Sequence, residues 1–478
     1  MLPRAHDHEM IYKNISYSVV TQSIIVVLSI VSMAVLGRLL EPTTFGVFAL
    51  LFSVHNLLIP LVDFGLTPVY LKKEKITQET KNVFFTLNLI LGVLYGILFW
   101  GVATFMLETD VAKYSPVFII STLLFAYNQQ NIANLTRQQN QKSLMFINLL
   151  STITATAIAI VIAYLGYQIY ALLMQQLAKA AIATVITKKI SPHKFKLTNK
   201  KTIQSYREDI IFSITIMGSR IINGISLTYD KFLVNNFFGL TVLGYYSRTF
   251  ELSRYPNASI GAVVSTPILA YLARKPANEA RKLYPAVSNL VFFLTANILL
   301  FLVLFGDWFI VFLLGPNWYD AGIFMQLLSI WGIGKIFHGL LITIYTNEKL
   351  MILFTKFSIA ALLINITVFL TTYITTLNAT QTIGSFALSN LIIWFVLYLY
   401  SIYYFSHQKG IVESLKFIVL NCTAFTTTIY FLKVAYFDQS TLKFILGPVI
   451  YFFGMFATII LLYVIDKKML LGLRDLKE

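Results

Sequence analysis

The stretch RIINGISLTYDK carries three charges, Arg220, Asp230 and Lys231, inside a long run of otherwise apolar or uncharged residues. If that run crosses a bilayer, each charge facing lipid near the midplane costs about 2.5–3.5 kcal/mol. On one continuous helix Arg220 and Lys231 are three turns apart, about 16 Å along the axis, and share a face with Asn223 and Leu227, bordered by Asp230. Arg248, Glu251 and Arg254 follow at i, i+3 and i+6 as a slowly turning ridge. Lys335 with His338, and Lys179 with Gln175 and Gln176, add basic and polar groups to other apolar runs. Six deeply placed cations (Lys179, Arg220, Lys231, Arg248, Arg254, Lys335) thus stand against three acids (Asp63, Asp230, Glu251). Facing lipid, the six would cost about 15–20 kcal/mol, more than the whole stability of a typical domain. They are expected to line a cavity, and surplus cations suit an anion. Arginine grips phosphate through two parallel hydrogen bonds and lysine acts as a movable point charge, so a mixed set fits a diphosphate that is held and then released.

Each residue also has a structural explanation. Asp230 and Lys231 can form an interfacial pair whose lysine snorkels, as Lys356 does near a helix end. Glu251 can neutralise Arg248 or Arg254, and His338 is either an interior histidine or a proton relay. Asp63, an isolated acid in the first half, is a candidate site for a coupling cation, with Asp230 and Glu251 as the other possibilities. Arg220 is the hardest to explain structurally, because it lies mid-run with no acid near it in sequence. The amide-rich run YNQQNIANLTRQQNQK, residues 127–142, either meets a polar headgroup or ends a helix in water.

The elements that must position these residues are membrane helices. Of 478 residues, 57% are hydrophobic and only 12% charged, with a mean hydropathy of +0.73. A soluble domain carries about twice that charged fraction. Apolar blocks of the length that spans a hydrocarbon core recur along the chain. Helices are expected at 15–38, 43–71, 82–107, 112–136, 143–165, 168–188, 208–236, 242–272, 283–305, 320–346, 350–375, 380–406, 412–433 and 442–465. The net charge of +16 is concentrated in alternate loops, above all KKISPHKFKLTNKK at 188–201, while loops such as LGYQ and LNATQ carry no Lys or Arg. That alternation places both termini in the cytoplasm and accounts for the basicity without nucleic acid. The lone Cys422 excludes an intrachain disulfide or CxxC site. HDHE at 6–9 is read as a solvated tail, and no metal site or cofactor is expected. GIGK at 332–335 lacks P-loop spacing, and no HExxH or GxSxG occurs, so the chain is not expected to be an enzyme.

An internal repeat organises the helices. GRLLEPTTFGVFAL (37–50) aligns without a gap on NNFFGLTVLGYYSR (235–248), matching Thr43 to Thr241 and Gly46 to Gly244, each at the outer turn between the first and second helices of a six-helix block. Halves offset by six helices keep one membrane orientation and are parallel repeats. With LLGPNWYDAGIFMQLLSI (313–330), these segments resemble the Wzx-type polysaccharide transporters of the MOP exporter superfamily, over nearly the whole chain. The second repeat departs from that pattern, carrying Asn235-Asn236 where the family often has Gly-Arg, which leaves that mouth less basic. The resemblance implies an all-α integral membrane fold: about 14 helices, two six-helix MATE-like lobes (1–188 and 208–406), a basic linker (189–207), and two C-terminal helices with a tail (407–478). It also implies a flippase in the cytoplasmic membrane that moves an isoprenoid (undecaprenyl) pyrophosphate-linked oligosaccharide outward for surface polysaccharide synthesis. The expected partners are this lipid and membrane lipids, with a polysaccharide polymerase and glycosyltransferases alongside. Substrate binding would fall to Arg220, Lys231, Arg248, Arg254, Lys335 and Lys179, and Na⁺ or H⁺ coupling to Asp63, Asp230 or Glu251. A MATE-like cation-coupled exporter and a membrane polysaccharide polymerase are the alternatives.

Overall fold

A computed structural model describes residues 5–192, 195–258, 272 and 276–436. The expected helix at 442–465, and residues 259–271 of that at 242–272, lie outside the described residues. Among the described residues the regular structure is helical throughout. The first helices are α1 (Ala5–Leu39), α2 (Pro42–Leu58), α3 (Pro60–Asp63), α4 (Leu66–Lys72), α5 (Gln78–Met106) and α6 (Thr109–Ala112). They are followed by α7 (Ser115–Arg137), α8 (Gln141–Tyr164), α9 (Gln168–Ile190), α10 (Lys200–Gln204), α11 (Arg207–Ser226) and α12 (Tyr229–Pro256). The last are α13 (Ala277–Leu314), α14 (Ala321–Asn347), α15 (Met351–Thr376) and α16 (Ala379–Tyr436). Ten segments of the described residues are long and apolar enough to cross a bilayer, and two helices, α12 and α16, contain a reversal of the chain. In α12 the backbone leaves the helical region at Gly239 (φ 79°, ψ 178°). In α16 the Tyr398 hydroxyl lies 3.3 Å from Ser414 Oγ. A straight helix would hold those two residues about 24 Å apart, so the chain turns back between them.

Two expected helices are broken. The span expected at 43–71 is cut at Pro60, which lacks an N–H and crowds the preceding turn, and again at Phe64 and Gly65, both left-handed (φ 50° and 74°). The helix expected at 208–236 ends at Ser226 and restarts at Tyr229. There Leu227, Thr228 and Lys231 donate their N–H groups to carbonyls three residues back, and the Thr228 hydroxyl bonds the Gly224 carbonyl at 2.7 Å. These tightened turns and side-chain bonds interrupt the α ladder. Arg220 and Lys231 therefore do not share one continuous helix face, contrary to the spacing argument.

The described chain forms two compact units, one of Met1–Arg248 with Leu313–Asn317, the other of Thr249–Phe312 with Trp318 onward. The first thus takes in α11 and most of α12, as far as Arg248, beyond the lobe boundary expected at 189–207. The reason is local. At the end of α4, Lys73 pairs with Asp209 at 2.7 Å and lies over Tyr206, and Lys72 lies over Phe212. The basic linker is also tied down, with Phe195 stacked on Phe85 and Lys196 N–H bonded to Asn82 Oδ1. Leu66, Val69, Tyr70, Val83, Phe84 and Ala133 form the apolar cluster under these contacts.

The second unit packs Phe337, Trp394, Tyr398, Tyr345 and Ile402 in its core. A polar latch fastens one end: Arg281 donates Nε and Nη2 to the two carboxylate oxygens of Glu348 (3.0 and 2.6 Å), the Tyr284 hydroxyl adds a third bond, and Asn347 donates to that hydroxyl. Burial pushes the Glu348 carboxyl up, but bonds from Arg281 and Tyr284 outweigh it and leave the group below its ordinary value. The latch therefore stabilises the fold fully above the ordinary glutamate range, and that contribution disappears as pH falls through the lowered folded value. Glu348→Gln is expected to lower stability by about 1.5–3 kcal/mol at neutral pH. Thermal unfolding of wild type and variant should converge as the buffer is made acidic.

Candidate functional site

Asp63 and Arg220, 157 residues apart, meet in the first unit: Arg220 Nη1 donates to Asp63 Oδ2. The break in the second span creates the meeting. Asp63 ends α3, the left-handed Phe64 and Gly65 turn the chain, and α4 begins with Thr67 N–H directed at Asp63 Oδ1 (3.2 Å). The Thr67 hydroxyl donates to the same oxygen, as does Gln129 Nε2 from α7 at 3.2 Å. Gln129 Nε2 also lies 3.0 Å from Thr67 Oγ1. Both carboxylate oxygens are thus engaged, and the side chain is only 10% exposed. The Arg220 side chain is 41% exposed. A guanidinium has five donors, so Arg220 is anchored by one nitrogen while presenting an accessible face of its fork. Gly65 brings α11 this close: a Cβ there would lie 2.7 Å from the Ser213 carbonyl oxygen and 2.8 Å from Ile216 Cβ.

The first half of the amide-rich run is interior, while Gln138 and Gln139 are exposed at the end of the helix. Asn128, Gln129, Gln130, Asn131 and Asn134 are all buried, Asn128 donates to Thr187 on α9, and the Tyr70 hydroxyl donates to Asn134. At its end Arg137 donates to the carbonyls of Tyr70, Leu71 and Glu74, closing the C-terminus of α4. These residues hold the shelf on which Asp63 sits.

The other candidate residues are distributed more widely. In the first unit, Asp230 is buried and accepts the Tyr246 hydroxyl at 2.5 Å, and Lys231 Nζ donates to the Leu227 carbonyl. The Arg248 guanidinium lies 4.9 Å from the Phe45 ring centre, and Lys179 is exposed on α9. In the second unit, Glu251 accepts the Tyr255 hydroxyl, Arg254 is exposed, and Lys335 lies over both Trp331 and Trp394 (5.3 and 5.8 Å). His338 packs edge-on to Trp394 and against Phe354, as an interior histidine does. Sequence reading missed His55, which is buried in α2 with Nδ1 2.7 Å from the Tyr95 hydroxyl, and Thr67 as a partner of Asp63. Neither carries a signal beyond residue type. Among the described residues no group of His, Cys, Asp and Glu is arranged to hold a metal ion.

The fold is that of the MOP-superfamily transporters, an all-α multi-pass membrane protein. A lipid II flippase, MurJ, in an inward closed conformation superposes with a TM-score of 0.69 at 15% identity, covering 97% of this chain and 99% of that one. An inward-facing MATE multidrug-resistance transporter gives 0.61 at 13% identity, over 81% of this chain and 95% of the other. Residues 35–323 match the family of polysaccharide biosynthesis proteins, and the chain belongs to that family. Its relatives include a membrane protein of the cps region of Klebsiella pneumoniae, 22% identical over 67% of both chains. The teichuronic acid biosynthesis protein TuaB of Bacillus subtilis is 22% identical over 65% of this chain and 66% of its own. The succinoglycan biosynthesis transport protein ExoT of Rhizobium meliloti is 23% identical over 66% of this chain and 65% of its own.

Proposed function

We propose that this protein is a flippase that carries an isoprenoid pyrophosphate-linked oligosaccharide across the cytoplasmic membrane for surface polysaccharide synthesis, with both termini in the cytoplasm. The family and the names of its relatives support the substrate class. The observation that carries the mechanism is Arg220, an intramembrane guanidinium anchored by a nearly buried carboxylate yet accessible on its other side. An incoming diphosphate competes with Asp63 for that guanidinium and gains two parallel charge-assisted bonds. The displaced carboxylate, still held by Thr67 and Gln129, is then the group that takes up a coupling cation, H⁺ or Na⁺. Asp230 and Glu251 are the other coupling candidates. Lys231, Arg248, Arg254, Lys335 and Lys179 supply the remaining positive field along the path. Outward movement of two negative charges across about 100 mV, negative inside, releases roughly 4–5 kcal/mol, and the cation returns the emptied, basic protein. A polymerase and glycosyltransferases acting on the same lipid are the natural partners.

The test is translocation of a fluorescent isoprenoid-pyrophosphate oligosaccharide in proteoliposomes, with and without a cation gradient. Flipping above that of protein-free vesicles, accelerated by the gradient, supports the reading. No flipping, with export of small organic cations instead, supports a MATE-like exporter.

A further inference from the structure

The two copies of the internal repeat touch each other in the first unit, and they do so reciprocally. Thr43 and Thr241, separated by 198 residues and equivalent in the repeat, share a hydrogen bond of 3.0 Å between their own hydroxyls. Gly46 and Gly244 are likewise equivalent. A Cβ built on Gly46 would collide with the carbonyl of Leu240, and one built on Gly244 with the carbonyl of Pro42. Leu240 and Pro42 are themselves equivalent positions, so each repeat offers its glycine to the same carbonyl of the other. This is the pattern of a local two-fold contact, in which residue i meets j and the counterpart of j meets the counterpart of i. The obstructing atoms are backbone, so no side-chain rotation could accommodate a methyl group. Glycine permits two helix starts to approach until Cα–H groups face carbonyl oxygens.

The position of this contact matters. It joins the beginning of α2 to the stretch of α12 after Gly239, at the end of these helices opposite the basic loops at 72–81 and 188–201. Arg248 covers Phe45 beside it, and Arg38 Nε donates to the Leu313 carbonyl on its flank. We infer that Gly46 and Gly244 determine transport without touching substrate: they allow the repeats to close as a two-fold seam that seals the outer end, and the seam must part for the glycan to leave. A weakly polar seam of one threonine pair and two glycine–carbonyl contacts is well suited to parting, because separating these contacts strands no charge. This inference rests on the flippase reading for the word transport, but the state of the seam can be measured separately.

The experiment uses full-length protein carrying Cys422→Ser, which removes the lone native thiol. Thr43→Cys with Thr241→Cys places two sulfurs where the hydroxyls now lie 3.0 Å apart. Oxidation is expected to cross-link them and stop flipping, and a reductant to restore it. Thr43 and Thr241 lie at the exposed rim of the seam, so the rate of cross-linking reports how closely the repeats meet. That rate should fall about tenfold when either Gly46→Ala or Gly244→Ala wedges the seam. Gly218→Ala, where a Cβ meets nothing within 4 Å, is the control and should leave cross-linking unchanged. Fully cross-linked protein that flips as fast as reduced protein overturns the inference. So does a cross-linking rate that ignores both wedging substitutions. If cross-linking responds as expected but reduced protein does not flip the lipid-linked oligosaccharide, the seam stands and the flippase reading falls.

Discussion

Arg220→Ala is expected to lower flipping of the lipid-linked oligosaccharide by about 10- to 100-fold, the worth of a lost charge-assisted hydrogen-bond pair. It should also destabilise the protein by about 3 kcal/mol, because it leaves the Asp63 carboxylate uncompensated. That figure sits at the low end for broken ion pairs because the arginine side chain is 41% exposed. Asp63→Ala should also lose stability, through four bonds that would have no acceptor. The double substitution discriminates between roles. Removing both charges avoids an uncompensated ion, so the thermal midpoint of Asp63→Ala with Arg220→Ala should recover toward wild type. Flipping by the double variant should stay as low as in Arg220→Ala. Recovery of both stability and flipping would make the pair purely structural. Arg220→Lys keeps the charge and loses the planar fork, and an intermediate rate is expected.

Gly65→Val should be at least as damaging although it alters no charge. The residue has φ +74°, which costs a non-glycine residue about 1–2 kcal/mol. Its side chain would also be driven into the Ser213 carbonyl oxygen and Ile216, an overpacking cost of about 1–3 kcal/mol. Relief requires α11 to move off α4, which carries Arg220 away from Asp63. A fall of about 2–5 kcal/mol in stability is expected, together with loss of flipping. Gly166→Ala provides the comparison: its φ is +84°, but a Cβ there meets nothing within 4 Å, so only the backbone cost applies. Equal thermal shifts for the two variants would mean that α11 is not docked through Gly65.

The residues of the site were visible before the structure, but their pairing was not. Arg220 stood out because an arginine deep in an apolar run demands an explanation, and Asp63 because it is an isolated acid in another. Nothing in the sequence joined them. They are brought together by the left-handed turn at Phe64 and Gly65 and by the anchoring of α11 through Lys73 and Asp209. The proposed helical face shared by Arg220 and Lys231 failed for the converse reason. Periodicity assumes an unbroken helix, and short-range hydroxyl and i+3 bonds around Gly224–Thr228 break this one. The amide run reads from sequence as a headgroup contact or a wet helix end, and its exposed Gln138 and Gln139 fit the latter, but packing against α4 and α9 places Asn128 and Asn134 inside.

Composition, the lengths of the apolar blocks and the repeat at 37–50 and 235–248 were sufficient to establish a multi-pass helical membrane protein and its family resemblance. Those features depend on transfer free energy and on local periodicity, which one sequence contains in full. Tertiary structure alone decided which charge neutralises which, where helices break, and that Gly46 and Gly244 each lie against the carbonyl of the other repeat. Such contacts join residues 157 or 198 positions apart. They depend on ångström-scale packing between helices, and spacing along the chain does not encode that distance.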